Sequence, residues 1–140
     1  MQENPEQFLT KPEEACEFDK KTGVDTLAVS IGNVHGPYKM KNNVPHLFLD
    51  QLRKIKKMVN APLVLHGASG VEEEEIKKAI ELGIVIINID TEIRMIFRES
   101  LIKSLSEAQK NNEFDPRKIL KPSIEAMKDL VKKKIELFGQ

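Results

Sequence analysis

Residues 62–91 read PLVLHGASGVEEEEIKKAIELGIVIINIDT, and the fold follows from how that stretch divides. Residues 62–66 (PLVLH) are a short apolar run between a proline and a glycine, as expected of a strand buried in a parallel sheet. The glycine loop GASG comes next. Residues 71–82 then space their apolar side chains at helical period, with four glutamates complementing the N-terminal dipole, and Gly83 ends the helix. Residues 84–89 (IVIINI) form the most apolar run in the chain and predict a second strand, after which Asp90 or Thr91 can cap a helix reaching about Lys110.

Working outward from there, residues 26–31 (TLAVSI) predict a further strand, followed directly by the loop GNVHGPYK. A helix over 46–59, carrying Leu47, Leu49, Leu52, Ile55, Met58 and Val59 at mainly helical spacing, links it to PLVLH. Before TLAVSI, Thr10 can form a capping box with Glu13, Pro12 lies in the first helical turn, and Gly23 stops the helix. Residues 1–10 are polar without a clear period and predict a loop or disordered N-terminus. Past Lys110 the polar turn NNEFDP leads to a short turn at 117–120 and a last helix over 123–138, with Ile124, Met127, Val131 and Ile135 on one stripe. Strand, loop and helix thus repeat three times, the pattern of βα units in an α/β parallel sheet.

Three parallel strands do not close a sheet. A (β/α)8 barrel usually needs ~250 residues, so a barrel-derived chain of this length would carry two open edges. A small doubly wound sheet is the competing architecture. The chemistry gathered at the C-terminal strand ends favours the mouth of a barrel.

The 22 basic and 22 acidic residues cancel, which removes the electrostatic drive toward nucleic acid or an anionic membrane. No apolar run reaches the length of a membrane span. Cys16 is the only cysteine, so no internal disulfide can form, and a reducing, cytoplasmic setting is expected. In a helix without a charged activator, Cys16 reads as a packing residue.

Ligand sites in parallel α/β folds lie at the C-terminal ends of strands. There the sequence places Asn33, His35 and Gly36, then His66 and Gly67, then Asn88, Asp90 and Thr91. Two histidines, each followed by glycine, can point into one mouth and share a metal, while the glycines let backbone N–H groups approach a ligand. A lone strand-end histidine more often makes only hydrogen bonds; two in matching contexts favour the metal. Backbone N–H groups of the GASG loop feeding a helix N-terminus suit phosphate, although Ser69 could equally cap that helix. Lys39 adds a positive charge nearby if its loop folds inward, and is otherwise a solvated lysine. Asn88, Asp90 and Thr91 could do no more than end a strand and cap a helix. His46, after Pro45 and without a glycine partner, reads as structural or solvent-facing.

GVDTLAVSIGNVHGPYK, PLVLHGASG and IVIINIDTEIR, in this order, resemble the class II fructose-bisphosphate and tagatose-bisphosphate aldolases. The similarity runs from about Lys11 to the final FGQ, with DPRKILKPSIEAMKDLVKKKIELFG resembling the family's C-terminal helix region. It implies a (β/α)8 barrel, of which residues 11–140 would be the C-terminal portion, that reversibly cleaves a ketose 1,6-bisphosphate to dihydroxyacetone phosphate and glyceraldehyde 3-phosphate with a divalent metal, usually Zn2+. The metal acts as a Lewis acid on the substrate oxygens. By motif, His35 and His66 match the metal ligands. Gly36, Gly67, Ala68, Ser69 and the run Asn88, Ile89, Asp90, Thr91 match positions that hold dihydroxyacetone phosphate, with Lys39 near its phosphate. Arg117, matched by local context, is a candidate for the second phosphate, and a monovalent cation beside the glycine loops occurs in several members.

The resemblance also assigns the proton-exchanging aspartate, and a third metal histidine directly after it, to the family's first half, which has no counterpart here. Met1 falls just before the helix preceding the sixth barrel strand, as in a truncated gene, a separately encoded half or an incomplete record. No catalytic residue is therefore assigned within these 140 residues, and little aldolase activity is expected of the isolated chain. A homo-oligomer, or a complement with an N-terminal half, is the expected assembly. The alternatives are a tagatose-bisphosphate aldolase, a non-catalytic phosphate-binding fragment that self-associates through its sheet edges, and an unfolded remnant.

Overall fold

The structure, a computed structural model, describes residues 5–33 and 45–139. The chain divides into two compact units, Met1–Ile89 and Asp90–Gln140.

In the first unit a 3₁₀ turn at Pro5–Phe8 precedes α1 (Pro12–Thr22), β1 (Leu27–Ala28), α2 (Leu49–Met58), β2 (Leu63–Leu65), α3 (Glu73–Glu81) and β3 (Ile84–Ile87). The three strands form one parallel sheet in the order β1-β2-β3, so successive strands are neighbours and each crossover from β1 to β2 and from β2 to β3 contains a helix. All three residues of β2 are buried, as its unbroken apolar run requires. On α2 the buried residues are Leu52 and Ile55, preceded by buried Leu47, and on α3 they are Ile76 and Ala79. Burying each large aliphatic side chain contributes roughly 1.5–3 kcal/mol. Cys16 is buried on α1.

The two outer strands depart from expectation. The β1 ladder is shorter than TLAVSI: Leu27 N donates to Pro62 O (2.9 Å) and Val29 N to Val64 O (3.3 Å), and beyond that the backbone leaves the sheet. On β3, Leu63 stands opposite Ile84 and Val64 opposite Ile86, which leaves Val85 as an extra residue. Such a bulge bends the strand and re-aims its side chains. Val85 is 62% and Ile86 40% exposed, so the most apolar run in the chain is an edge rather than a fully buried strand in this unit.

The Thr10–Glu13 capping box does not form. Lys11 is the N-cap of α1, without a side-chain cap. Thr10 instead donates its N–H to Ser30 O (2.8 Å) and accepts from Ser30 N at its Oγ1 (2.8 Å). Where α1 meets the approach to β2, the buried Asp19 carboxylate accepts from Asn60 N (2.8 Å) and Ala61 N (3.4 Å).

The second unit is an antiparallel pair, α4 (Thr91–Asn111) and α5 (Pro116–Phe138). Lys134 Nζ near the end of α5 lies 2.7 Å from Glu92 Oε2 at the start of α4, and Ser104 Oγ on α4 donates to Ile119 O on α5 (2.5 Å). Asn112, at φ 52°, turns the chain out of α4. The turn and separate helix expected at 117–120 and 123–138 are a single helix with Pro122 inside it. Ile124, Val131 and Ile135 of the predicted stripe are exposed.

Candidate functional site

The C-terminal end of the sheet is built by hydrogen bonds that take over where the ladder stops. After β1, Ile31 N donates to Asn33 Oδ1 (2.7 Å), while Ile31 O accepts from Phe48 N (2.8 Å). After β3, Asn88 N donates to Leu65 O (2.9 Å), carrying the β2–β3 pairing one residue past the strand. His66, which ends the buried strand, is thereby held between its neighbours. It lines an open cavity of about 270 Å3 together with Ala28, Val29, Ser30 and Asn33.

The Asn88 side-chain nitrogen lies 3.5 Å from His66 Nε2, at the outer limit of a hydrogen bond. With the amide oxygen and nitrogen exchanged, the same contact accepts a proton from the ring. The structure therefore brings His66, Asn33 and Asn88 together, while Ser30 was not singled out by its sequence context.

Gly67 (φ 61°) and Gly70 (φ 76°) are both in the left-handed region and flank buried Ala68 and Ser69. Val71 N donates to Ala68 O (3.1 Å), and with Gly70 at the third position this has the pattern of a type II turn. The turn needs the glycine, which explains the GASG spelling. Ser69 does not cap α3, whose N-cap is Glu72 without a side-chain bond.

His35, Gly36 and Lys39 lie outside the described residues. Asp90 and Thr91 belong to the second unit, at the start of α4; Asp90 is its N-cap but makes no capping bond, and its carboxylate accepts from Arg94 Nε instead (2.7 Å). Arg117 is held at the start of α5 by Asp115, which accepts from its Nε (3.0 Å) and Nη2 (2.7 Å) and also caps the helix through Arg117 N (2.9 Å). Hydrogen bonds from the Arg117 side chain, then from its backbone N–H, hold the Asp115 carboxyl below its ordinary range. His46 is solvent-facing and pairs with Glu75.

Among the described residues no three His, Cys, Asp or Glu side chains gather around a common point. His66 alone of the two expected metal ligands lies within them. An imidazole at a strand end, opening on a cavity whose other polar lining is Ser30 and Asn33, fits a ligand to a divalent cation. No helix among the described residues is long and apolar enough to cross a membrane.

A parallel sheet that presents histidine, asparagine and a glycine turn at the C-terminal ends of its strands puts them where parallel α/β folds bind their ligands. The sequence matches the class-II fructose-bisphosphate aldolase family over residues 1–140, and the chain belongs to that family. It is 45% identical over 153 residues to a fructose-bisphosphate aldolase of Thermus caldophilus, a similarity covering 94% of this chain and 49% of that protein. Among solved structures it resembles the YdjI aldolase from Escherichia coli K12 (TM-score 0.76, 37% identity, 94% of this chain and 46% of that one). The fold is also that of the fructose-bisphosphate aldolase of Campylobacter jejuni (TM-score 0.77, 24% identity, 95% and 45%). The chain spans about half the length of the relatives it matches, and its βα units and terminal helices are the C-terminal portion of the class II aldolase barrel.

Proposed function

We propose that this chain supplies the metal- and phosphate-binding half of a class II aldolase that reversibly cleaves fructose 1,6-bisphosphate to dihydroxyacetone phosphate and glyceraldehyde 3-phosphate, in a cytoplasmic setting. The observation that carries the reading is His66 at the end of buried β2, facing a cavity with Asn33 and in reach of Asn88. His35 and His66 hold the divalent ion, Zn2+ by the chemistry of imidazole ligands. Bound there, it supplies Lewis-acid polarisation of the ketose carbonyl.

The chain's own residues bind and orient. Gly36, Gly67, Ala68, Ser69, Asn88, Ile89, Asp90 and Thr91 hold dihydroxyacetone phosphate, the glycines by letting backbone N–H groups reach its phosphate. Lys39 contributes charge to that phosphate. Arg117 takes the second phosphate, for which it must share or release Asp115. A monovalent cation beside the glycine loops belongs to the same reading. Proton exchange is assigned to an aspartate contributed by an N-terminal half, present in cis or in trans, and the exposed Val85 and Ile86 of β3 suit a sheet edge that such a half, or a second copy, covers.

The test is aldol cleavage with added zinc, by the chain alone and mixed with an N-terminal half from the family, on fructose and tagatose bisphosphates. Little turnover alone, a gain on mixing and preference for the fructose substrate are expected. Turnover near that of ordinary enzymes by the isolated chain overturns the division of labour. No gain on mixing, with phosphate still bound, favours a non-catalytic phosphate-binding domain.

A further inference from the structure

Val29 and Ile31, at the exit of β1, are buried. Alternation along an extended backbone turns Ala28 and Ser30 to the opposite face. There they border the open cavity of about 270 Å3 that Val29, Asn33 and His66 complete. Thr10 fixes Ser30 through both its N–H and its carbonyl. The cavity thus spans the ends of two paired strands, β1 and β2.

Asn33 is anchored to the same exit. Its Oδ1 accepts from Ile31 N (2.7 Å), across Gly32 at φ +96°. Ile31 O accepts from Phe48 N (2.8 Å), and the adjoining Leu47 is buried with its N–H donated to Glu75 Oε2 on α3 (2.8 Å). The backbone on which Asn33 closes is therefore held from both sides.

An asparagine side chain carries one acceptor oxygen and two amino donors. A backbone N–H requires the oxygen, so the bond from Ile31 sets the orientation of the amide and leaves the amino group as its other limb. Closing this turn needs only an acceptor, which aspartate supplies equally well. Asparagine adds two donors, and the cavity is the polar space that Asn33 borders. Two aliphatic residues, a hydroxyl, a carboxamide and an imidazole line it, and no lysine or arginine stands among these described residues. Such a surface lacks the cation that phosphate pairs with best. It matches the hydroxyl and carbonyl oxygens of an uncharged carbon chain, which accept from a neutral amide. The left-handed glycines of the neighbouring Gly67–Gly70 turn suit the phosphate instead.

We infer that Asn33 is a substrate-binding residue whose amino group donates to a hydroxyl or carbonyl oxygen on the carbon chain of a sugar phosphate seated against His66. The inference rests on the reading of this cavity as the substrate site of the proposed aldolase half.

Titrating dihydroxyacetone phosphate and, separately, inorganic phosphate into the isotope-labelled full chain with excess zinc tests it. The side-chain amide resonances of Asn33 should shift with dihydroxyacetone phosphate and stay in place with inorganic phosphate. Asn33→Asp keeps the acceptor for Ile31 N–H and exchanges the donors for an oxygen. Hydrogen exchange at the Ile31 amide should therefore match the parent, while affinity for dihydroxyacetone phosphate falls by about tenfold more than affinity for inorganic phosphate. Repulsion from the new charge acts on both ligands, so the ratio isolates the lost donor. Should Asn33→Asp lose the Ile31 protection or fail to fold, the side-chain resonances of the parent decide alone. His66→Ala sets the level of abolished binding in the cavity. If dihydroxyacetone phosphate binds in a His66-dependent way while the Asn33 resonances stay in place, or the ratio is unchanged in a folded Asn33→Asp, the role of Asn33 is overturned and the proposed function stands. If the parent does not bind dihydroxyacetone phosphate, or His66→Ala binds it as well as the parent does, the cavity is not the substrate site and the inference fails with that reading.

Discussion

The hydroxyl of Ser104 on α4 donates to the carbonyl of Ile119 on α5 at 2.5 Å. That carbonyl is the one Ser123, four residues further along α5, would ordinarily back-bond within its own helix. Ser123 is fully buried, and its Oγ finds no hydrogen-bond partner among the described residues.

The two serines should respond oppositely to removal. Ser104→Ala deletes the bond between the helices and should cost about 1 kcal/mol. Ser123→Ala removes a buried unsatisfied hydroxyl and gains helix propensity, so it should be neutral or stabilising by up to about 1 kcal/mol. Urea denaturation of both variants checks the signs; a Ser123→Ala chain clearly less stable than the parent would contradict the assignment.

Gly32 and Gly83 both occupy positive φ, +96° and +107°, but differ in what an added Cβ would meet. At Gly32 the obstacle is the His46 carbonyl and the Phe48 ring, whereas at Gly83 it is the Lys56 side chain, whose outer carbons can swing away. Both substitutions to alanine carry about 1–2 kcal/mol of left-handed strain, and the clash at Gly32 adds to it. Gly32→Ala should therefore be the more destabilising of the two, as measured by denaturant midpoints; equal midpoints would remove the argument for close approach at residue 32.

Much of this could be read from residues alone, because the decisive signals were local. Within PLVLH the unbroken apolar run Leu63–Leu65 folds as the fully buried central strand, and GASG has glycine where the backbone goes left-handed. The misreadings share a cause: a partner distant in sequence. Thr10 has the spelling of a cap, yet Ser30, twenty residues on, uses its hydroxyl. The turn expected at 117–120 is instead part of α5, where Ile119 O accepts from Ser104 on α4. Glu75 hides within a run of four glutamates that local rules treat alike. The clustering of His66 with Asn33 and Asn88 followed from strand-end logic, whereas Ser30 had no glycine neighbour or motif to mark it.

Asp19 offers a direct test of how α1 is fixed. It is a buried carboxylate whose Oδ2 serves two backbone N–H groups, those of Asn60 and Ala61. Asp19→Ala strands both donors and should cost about 2–3 kcal/mol, since hydrogen bonds to a charged group are worth about 1.5–3 kcal/mol. Asp19→Asn retains an acceptor oxygen of the same reach and should lose clearly less. Thermal melts of the two variants decide, and equal losses would mean that charge rather than acceptance holds the segment.

The turn into α5 should set part of the acid sensitivity. Glu113 is held below its ordinary range by the hydrogen bond from Lys118, then by the Asp115 backbone N–H, and Asp115 by the hydrogen bonds from Arg117. A carboxyl whose folded pKa is depressed takes up protons more readily when unfolded, so its contribution is complete above the ordinary value of about 4 and disappears as pH falls through the lower folded value. Lys118, raised by the same bond to Glu113, has the opposite sign: its contribution is present below its ordinary pKa and is lost at strongly alkaline pH. Arg117 and Lys118 are exposed and the two carboxylates they pair with are only half-buried, so the effects should be small and should shrink further with added salt. The double variant Glu113→Gln, Asp115→Asn should melt lower than the parent at pH 7, with the gap closing below about pH 4. Helical circular dichroism melts between pH 2 and 7 at low and high salt, on the order of 0.01 and 1 M, measure this; a gap that persists undiminished in acid would mean that the turn is stabilised by something other than these ionised carboxylates.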